Sequence, residues 1–532
     1  VADLDPRFIL PGIPAAGVTA AEVGNKAWNL MRLAEAGLPV PPAFVLPTAW
    51  CQARRTGAGD DAALRAALAT GIAQLQAATG LEFGSARRPL LVSVRSGAAL
   101  SMPGMLETVL DVGLNADTVE GLIRLTGNPR LAWDSYRRLA QGFAEVVAGL
   151  PEDPFEAAMR DTVRAEDVES ERDLDHRALR TLTAAMLAQF QQLAGHPFPA
   201  DPIAQLTQAA DAVFRSWDAP KAVSYRRLNG LDDNAGTAVT VQTMVFGNAG
   251  GRSGAGVGFT RDPASGANTL YFDFCFNGQG EDVVAGRRTL TDSTRMQQTL
   301  PAAYADLQAA RARLEALFRD VQDFEFTVQD GKLFLLQTRD AKRTPMAALR
   351  IAVDSVAEGL ISPQEGLARL AGVDLASVGQ TRFSPPLPEA LGQATVASPG
   401  VVSGPVALDT EAAERFARSG TPAVLVRPET ATADIAGMAK AAGILTASGS
   451  RTAHAAVVAR QLGKTCLVGC AGLEIDLARR CCRFGGLELA EGEPISLDGN
   501  TGAIYPGLLS VVQEMPEREL AEVERWRRET RR

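Results

Sequence analysis

A chain of 532 residues has room for three or four domains, each able to bury its own core, which excludes a small stapled or metal-nucleated protein. Its 46% hydrophobic and 22% charged content is that of soluble globular domains, and no run of about 18 apolar residues offers a membrane span. A net charge of -9 argues against a nucleic-acid partner, yet local Lys and Arg can still hold a nucleotide's phosphates in an acidic protein.

The N-terminal residues have neither the basic flank nor the apolar core of a signal peptide, so a cytoplasmic protein is expected. The first informative element is a helix through Asn25, Ala27, Leu30, Leu33 and Ala34, stopped at Gly37 and followed by Pro39, Pro41 and Pro42, which enforce an extended exit. Lys26 sits beside Gly24 at its front; taken alone it is an ordinary surface lysine. Next, an apolar strand from Leu90 to Val94 is expected to deliver Arg95 to a loop containing Ser96, Gly97, Ser101, Pro103 and Gly104. Small residues there let backbone N–H groups approach phosphate oxygens, and a guanidinium adds a charge-assisted contact.

From about 117 to 218 the sequence becomes rich in Ala, Leu, Gln, Glu and Arg at helical spacing, which reads as a helical insertion. Arg137 and Arg138 lie in it, and two adjacent arginines ordinarily mark a solvated helix face. Thr237 to Gly286 alternates β-branched and polar residues around a Gly-rich break, the pattern of antiparallel strands with a turn. Asp323 and Glu325 then stand two apart on a strand, an Asp330-Gly331 turn follows, and Gln337 and Arg339 stand two apart on the return strand. One hairpin face is thus expected to gather two carboxylates, an amide and a guanidinium. Glu325 and Gln337 are oxygen donors of the kind Mg²⁺ takes beside nucleotide phosphates, and Arg339 can brace a transferring phosphoryl group.

Beyond Thr344 a helical stretch leads to a Pro-rich linker at Ser384 to Leu391, semi-rigid and extended by composition. A further strand is expected from Ile444 to Ala447, a Gly/Ser/Thr-rich loop from Ser448 to Thr452, a helix from about Ala453 to Leu462, and a strand at Thr465 to Val468. Thr452 is a natural N-cap, which puts His454 in the first turn. A neutral imidazole there can attack phosphorus, and the bound phosphoryl group would face free N–H groups at the positive helix end. Six cysteines without paired spacing read as buried thiols, and the charged last residues read as a solvated helix.

The run Thr452 to Arg460, T-A-H-A-A-V-V-A-R, closely resembles the phosphohistidine motif of the pyruvate phosphate dikinase and phosphoenolpyruvate synthase family. The resemblance extends to G-N-K-A-W-N-L around Lys26, to V-Q-T-M-V-F-G-N from Val241, to T-R-x-P from Thr260, and to D-x-E and Q-x-R on the hairpin. Arg137 and Arg138 resemble family positions near the phosphate-handling site. The S-M-P-G-M loop from Ser101 is similar to the dikinase rather than the synthase.

The resemblance implies an α/β multidomain chain: an ATP-grasp domain with its helical insertion at 1–345, a helical and Pro-rich linker at 346–392, a swivelling β/β/α phosphohistidine domain at 393–507 and a charged tail at 508–532. It implies that Lys26 and Arg95 contact ATP phosphates, that Met244 and Val245 face adenine, that Asp323, Glu325, Gln337 and Arg339 complete the site with Mg²⁺ on Glu325 and Gln337, and that His454 carries the phosphoryl group. ATP, and inorganic phosphate with it, are the expected substrates. The family's (β/α)₈ barrel would begin about where this sequence stops, so the ATP half-reaction alone is expected here. The acceptor is then a specialised small molecule, or a separate barrel subunit of a split dikinase; a non-catalytic nucleotide-binding module is the third reading. Ser448 to His454, S-G-S-R-T-A-H, departs from the family's R-G-G-M-T-S-H, which favours an altered acceptor.

Overall fold

The computed structural model describes residues 4–530 apart from 15, 16, 58, 100, 101, 103–105, 281–292, 376, 377, 431–433 and 450–453. The protein is a mixed α/β multidomain chain that divides into two units, Val1–Gly250 with Thr327–Arg339, and Gly251–Phe326 with Asp340–Arg532.

In the first unit β1 (Arg7–Ile9), β2 (Ala43–Leu46), β3 (Val92–Gly97), β4 (Thr108–Val112) and β5 (Ala238–Thr243) form one antiparallel sheet in the order β1-β2-β5-β3-β4. Helix α1 (Ala20–Glu35) opens on Thr19, whose hydroxyl accepts from the Glu22 N–H, and ends before the left-handed Gly37. Helices α2 (Thr48–Arg55) and α3 (Asp61–Thr79) lie outside the expected helical run, whereas α4 (Ala116–Thr126), α5 (Pro129–Val146), α6 (Asp153–Ala165), α7 (His176–Ala194) and α8 (Pro202–Arg215) fall on it. The inserted helices do not form a separate body. Leu122, Phe143, Phe190 and Phe214 share one apolar core with Phe44, Val94 and Val241 of the sheet.

In the second unit β6 (Gly254–Phe259) and β7 (Tyr271–Phe276) pair antiparallel along their whole length. The strands β8 (Gln322–Gln329) and β9 (Lys332–Asp340) flank the Asp330-Gly331 turn, and the sheet order is β9-β8-β6-β7. The unit boundary falls within both strands of this hairpin. Helices α9 (Pro301–Phe318), α10 (Pro345–Ala357) and α11 (Pro363–Arg369) follow in sequence around it.

The rest of the second unit is an eight-stranded sheet with a three-stranded satellite. Its parallel centre runs from β10 (Val401–Ala407) through β11 (Val424–Arg427) and β12 (Gly443–Thr446) to β13 (Thr465–Val468). Helix α12 (His454–Gln461) packs Ala455, Ala456 and Ala459 against Ile444, Cys466 and Val468. The C-terminal residues depart from the expected solvated helix. Strand Val511–Glu514 pairs with strand Gln380–Phe383, and helix α13 (Glu517–Thr530) buries Val523 and Trp526 against Leu349, Val353 and Leu370. Among the described residues no helix is long and apolar enough to cross a membrane.

Candidate nucleotide site

The geometry of the first unit turns on Gly24. Its φ of 77° and ψ of 153° break α1 before Lys26, and a Cβ at this position would lie 2.2 Å from the Gly97 carbonyl oxygen. Only glycine lets the front of α1 come this close to the end of β3. The Asn25 N–H donates to the Ala98 carbonyl at 2.9 Å and completes the junction. Arg95 is half-buried within β3, paired with Thr240 and Thr108, rather than on the loop expected from sequence; the strand runs on to Gly97 because Ser96 and Gly97 also pair with β5.

Strand β9 runs past this junction. The Leu335 N–H donates to the Pro39 carbonyl at 2.7 Å, Arg95 Nη1 to the Leu336 carbonyl at 3.5 Å, and Asn29 Nδ2 to the Thr338 carbonyl at 2.9 Å. Gln337, buried, and Arg339, exposed, flank Thr338 on that strand. Lys26, Arg95, Gln337 and Arg339 are therefore brought together. Asn29 was not singled out in the sequence, although the second asparagine of G-N-K-A-W-N-L carried the signal: a buried amide one turn beyond the lysine needs a partner, and it finds one in β9.

The other end of β3 borders a cavity of about 330 Å³, lined by Leu91, Leu122, Leu125, Met244, Phe246 and Gln329 among others. Its walls mix apolar side chains that can face a base with polar ones, Thr126, Thr243, Gln329 and Asp330, that can fix its orientation. The Met244 N–H is taken by the Leu91 carbonyl at 2.9 Å and the Phe246 N–H by Gln329 Oε1 at 2.8 Å. Val245 is half-buried and is not in the cavity lining. From Leu91 to Arg95 is four residues of strand, about 13 Å, the span between a purine and the outer phosphates of a nucleotide.

The adjacent arginines do not lie on a solvated face. Arg137 is buried and donates to Asp134 Oδ1 at 2.7 Å, while Arg138 Nε donates to Asp134 Oδ2 at 3.1 Å. Burial alone would raise the Asp134 carboxyl, but Arg138 and Arg137 outweigh it and hold the group well below the usual carboxylate range. Asn248, from the Gly-rich break, donates to the same carboxylate at 3.4 Å.

In the second unit Asp323 and Glu325 occupy the half-open face of β8, alternating with buried Gln322, Phe324 and Phe326. The Glu325 carboxylate is a hard oxygen donor of the kind Mg²⁺ takes, and Gln337, in the first unit, carries an amide oxygen of the same class. Among the described residues no cluster of three or more His, Cys, Asp or Glu offers a separate metal site. His454 begins α12, as the sequence reading expects, whereas Ser450, Arg451, Thr452 and Ala453 of its loop, like Ser101, Pro103 and Gly104, lie outside the described residues. All six cysteines are buried thiols outside any disulfide; burial pushes Cys466 and Cys482 up to about 12, which leaves those two inert.

Comparison with known families matches residues 60–305 to the pyruvate phosphate dikinase AMP/ATP-binding domain and residues 420–502 to the mobile domain of PEP-utilising enzymes. The chain is 42% identical over 490 residues to pyruvate, phosphate dikinase of Clostridium symbiosum, covering 91% of this chain and 56% of that protein. It is 39% identical over 527 residues to the Rhizobium meliloti protein of the same name, covering 96% and 58%, and 42% identical over 489 residues to pyruvate, phosphate dikinase 2 of Zea mays, covering 91% and 55%. The chain thus spans just over half the length of the relatives it matches. With both domain types matched and about 40% identity along nine-tenths of its length, the chain carries a pyruvate phosphate dikinase AMP/ATP-binding domain and a PEP-utilising mobile domain and is similar throughout to pyruvate, phosphate dikinases.

Proposed function

We propose that this chain performs the nucleotide half-reaction of a dikinase-type phosphotransferase. ATP binds with its base in the cavity beside Met244, on the side of Val245, and its phosphates toward Lys26, Arg95, Asp323 and Arg339. The His454 imidazole attacks the β-phosphorus, the bond from that phosphorus to the α–β bridging oxygen breaks, and AMP leaves. The γ-phosphoryl group passes to inorganic phosphate, forming pyrophosphate. Mg²⁺, held by Glu325 and Gln337 with the nucleotide, supplies charge stabilisation at the phosphoryl oxygens. Residues 1–345 form the ATP-grasp part with its 117–218 insertion and 393–507 the swivelling carrier, in a cytoplasmic setting where ATP is at hand.

The observation that carries this reading is the triple stitching of β9 to Pro39, Asn29 and Arg95. It supports Lys26, Arg95, Gln337 and Arg339 acting on one phosphate chain, as phosphoryl transfer depends on positioning and charge. Labelled ATP tests it. Only β-label should remain on protein, acid-labile and base-stable, and Arg339→Ala or Glu325→Gln should slow its appearance by roughly 10²-fold or more. Label from the γ position that persists on His454 in the presence of inorganic phosphate would refute the dikinase mechanism in favour of simple kinase chemistry.

The acceptor is part of the proposal. Relatives named for pyruvate and phosphate make pyruvate the first compound to try. The altered Ser448 to Ala453 loop favours a specialised small-molecule acceptor over a separate barrel subunit. Loss of label on adding pyruvate only when a barrel protein is also present would establish the split enzyme. A folded chain without ATP–AMP exchange would leave a nucleotide-binding module.

A further inference from the structure

The T-R-x-P element, with Arg261 at the end of β6, resembles part of the family's nucleotide lid, yet its arginine is already committed. Arg261 is 1% exposed and grips two carboxylates, one from each of two helical segments. Toward Glu315, on α9, its Nε donates at 3.1 Å and its Nη2 at 2.8 Å. Toward Glu358, at the C-terminal cap of α10, its Nη1 donates at 3.1 Å and its Nη2 at 2.6 Å. Both are forked, charge-assisted pairs, the strong form of this contact. Asn268 adds a donor to Glu358 at 2.9 Å.

Glu358 is an unfavourable residue where it stands, because a carboxylate at a helix C-terminus opposes the backbone dipole. Arg261 offsets that. The same helical pair is tied down at further points. Thr344, the N-cap of α10, donates to the Ala264 carbonyl at 2.6 Å, and Arg319, just past α9, pairs with Glu365 of α11 at 2.8 Å. Arg343 grips Asp320 at 2.6 Å, and α13 covers α10 and α11 from outside with Trp526. Residues 345–370 read in the sequence as part of a linker, but they are clamped to the β6–β7 strands and α9.

We propose that Arg261 is the clasp that fixes the root of the carrier's tether to the β6–β7 sheet, a positioning residue for phosphoryl transfer to His454 and not a nucleotide ligand. The inference rests on the carrier role proposed above. With the clasp closed, movement of the 393–507 residues is confined to the chain beyond α11. With it open, a second joint forms upstream at 341–344, His454 sweeps a larger volume, and its effective concentration at bound ATP falls.

The full-length chain carrying Glu358→Gln tests this, since Arg261 keeps its pairing with Glu315 and the fold is retained. Three readouts are compared with the unsubstituted chain: ATP affinity, the single-turnover rate of β-label transfer to His454, and amide hydrogen exchange in residues 345–357. The clasp predicts unchanged ATP affinity, faster exchange in 345–357, and labelling slowed about tenfold. Arg261→Lys, which cannot fork onto both acids, should do the same more strongly. Faster exchange with labelling at full rate would overturn the positioning role, and weakened ATP binding with unchanged exchange would make Arg261 a nucleotide ligand. If the unsubstituted chain takes no label, the functional reading fails; unchanged exchange in Glu358→Gln would defeat the clasp independently.

Discussion

Replacing Gly24 by alanine should separate folding from phosphoryl transfer. The residue sits at φ 77° and ψ 153°, a region essentially reserved for glycine, so a methyl group there costs about 1–3 kcal/mol in backbone strain. Its Cβ would also lie 2.2 Å from the Gly97 oxygen and 2.5 Å from the Gly97 carbon, both backbone atoms that no rotamer change can move. Opening that contact to the 3.0 Å below which Cβ contacts are essentially never seen moves the front of α1 away from β3 by about 0.8 Å. Lys26 rides on the first and Arg95 on the second, so their spacing over the phosphates changes by the same amount. A misplacement near 1 Å costs roughly 10²-fold in rate when positioning dominates. Gly97→Ala is the matched control, because its Cβ would meet nothing nearer than the Val23 oxygen at 3.5 Å. Single-turnover labelling of His454 from β-labelled ATP, with a thermal melt of each variant, reads both quantities. Gly24→Ala labelled at the rate of Gly97→Ala would refute the claim that this junction sets the phosphate site.

Asp134→Asn leaves two inward-facing guanidinium groups without their main counter-charge and should lose about 3–5 kcal/mol in urea unfolding. The Asp134 carboxyl is depressed in the fold, so its contribution is complete above the unfolded carboxyl's pKa of about 3.9 and declines as pH falls below it toward the folded value. The variant should therefore flatten the acid limb of stability against pH; an unchanged limb would remove Asp134 as its source. Trp526→Ala should cost about 3–5 kcal/mol in the cluster joining α13 to α10 and α11, read as lost amide protection in residues 345–370. Retained protection there would mean that α13 is dispensable to the clamp. Thr381 and Gln513 are facing partners on adjacent strands, so a disulfide from Thr381→Cys with Gln513→Cys should leave labelling unchanged if the carrier turns beyond this ladder. Abolished labelling would put the moving joint inside it.

The elements whose boundaries the sequence marks with side-chain chemistry fall within a residue or two of their expected places. The helix over Asn25 to Ala34 stops at Gly37, strand Thr465–Val468 matches the expected span, and α12 starts at His454 beside the expected Ala453. Arg95 shows where local reading fails. Small residues after Val94 signal a loop, but cross-strand pairing of Ser96 and Gly97 with Val239 and Ala238 overrides local propensity. Arg137 and Arg138 fail for a different reason. Helical spacing says which residues share a face but not what lies opposite, and here the buried Asp134 pairs with both. The charged tail is misread likewise, because a short apolar stripe, Leu520, Val523 and Trp526, suffices to dock a helix whose remaining positions are mostly charged. Of the proposed site, Lys26, Gln337 and Arg339 were legible as types and spacings; Asn29 and Gly24 act through backbone geometry that only the fold reveals.

The way the proposed carrier is tied on limits where its phosphoryl group can go. The chain leaves strand Gln380–Phe383 and returns to strand Val511–Glu514 at facing residues, Phe383 opposite Val511, with the Ser384 N–H donating to the Ser510 carbonyl at 2.9 Å. Both crossings therefore start from one point. The outgoing one runs through exposed Pro385 to Ala390 before Leu391 joins the Ile504 carbonyl. The return one is only residues 507–509, a reach of about 10 Å even when fully extended. A body held by one short and one longer crossing rooted together turns about the short one, while the longer takes up slack. Gly507, at φ 80° with no atom within 4 Å of where a Cβ would lie, can absorb that turn once its own bonds open, the N–H to the Pro494 carbonyl at 3.0 Å and the carbonyl from Ser496 Oγ at 2.7 Å. His454 would then travel on an arc about residues 507–509, and any acceptor, small molecule or subunit, has to present itself on that arc. An acceptor bound elsewhere would demand that the ladder or the Arg261 clasp open, and each of those is a paired, hydrogen-bonded structure whose opening amide exchange can detect.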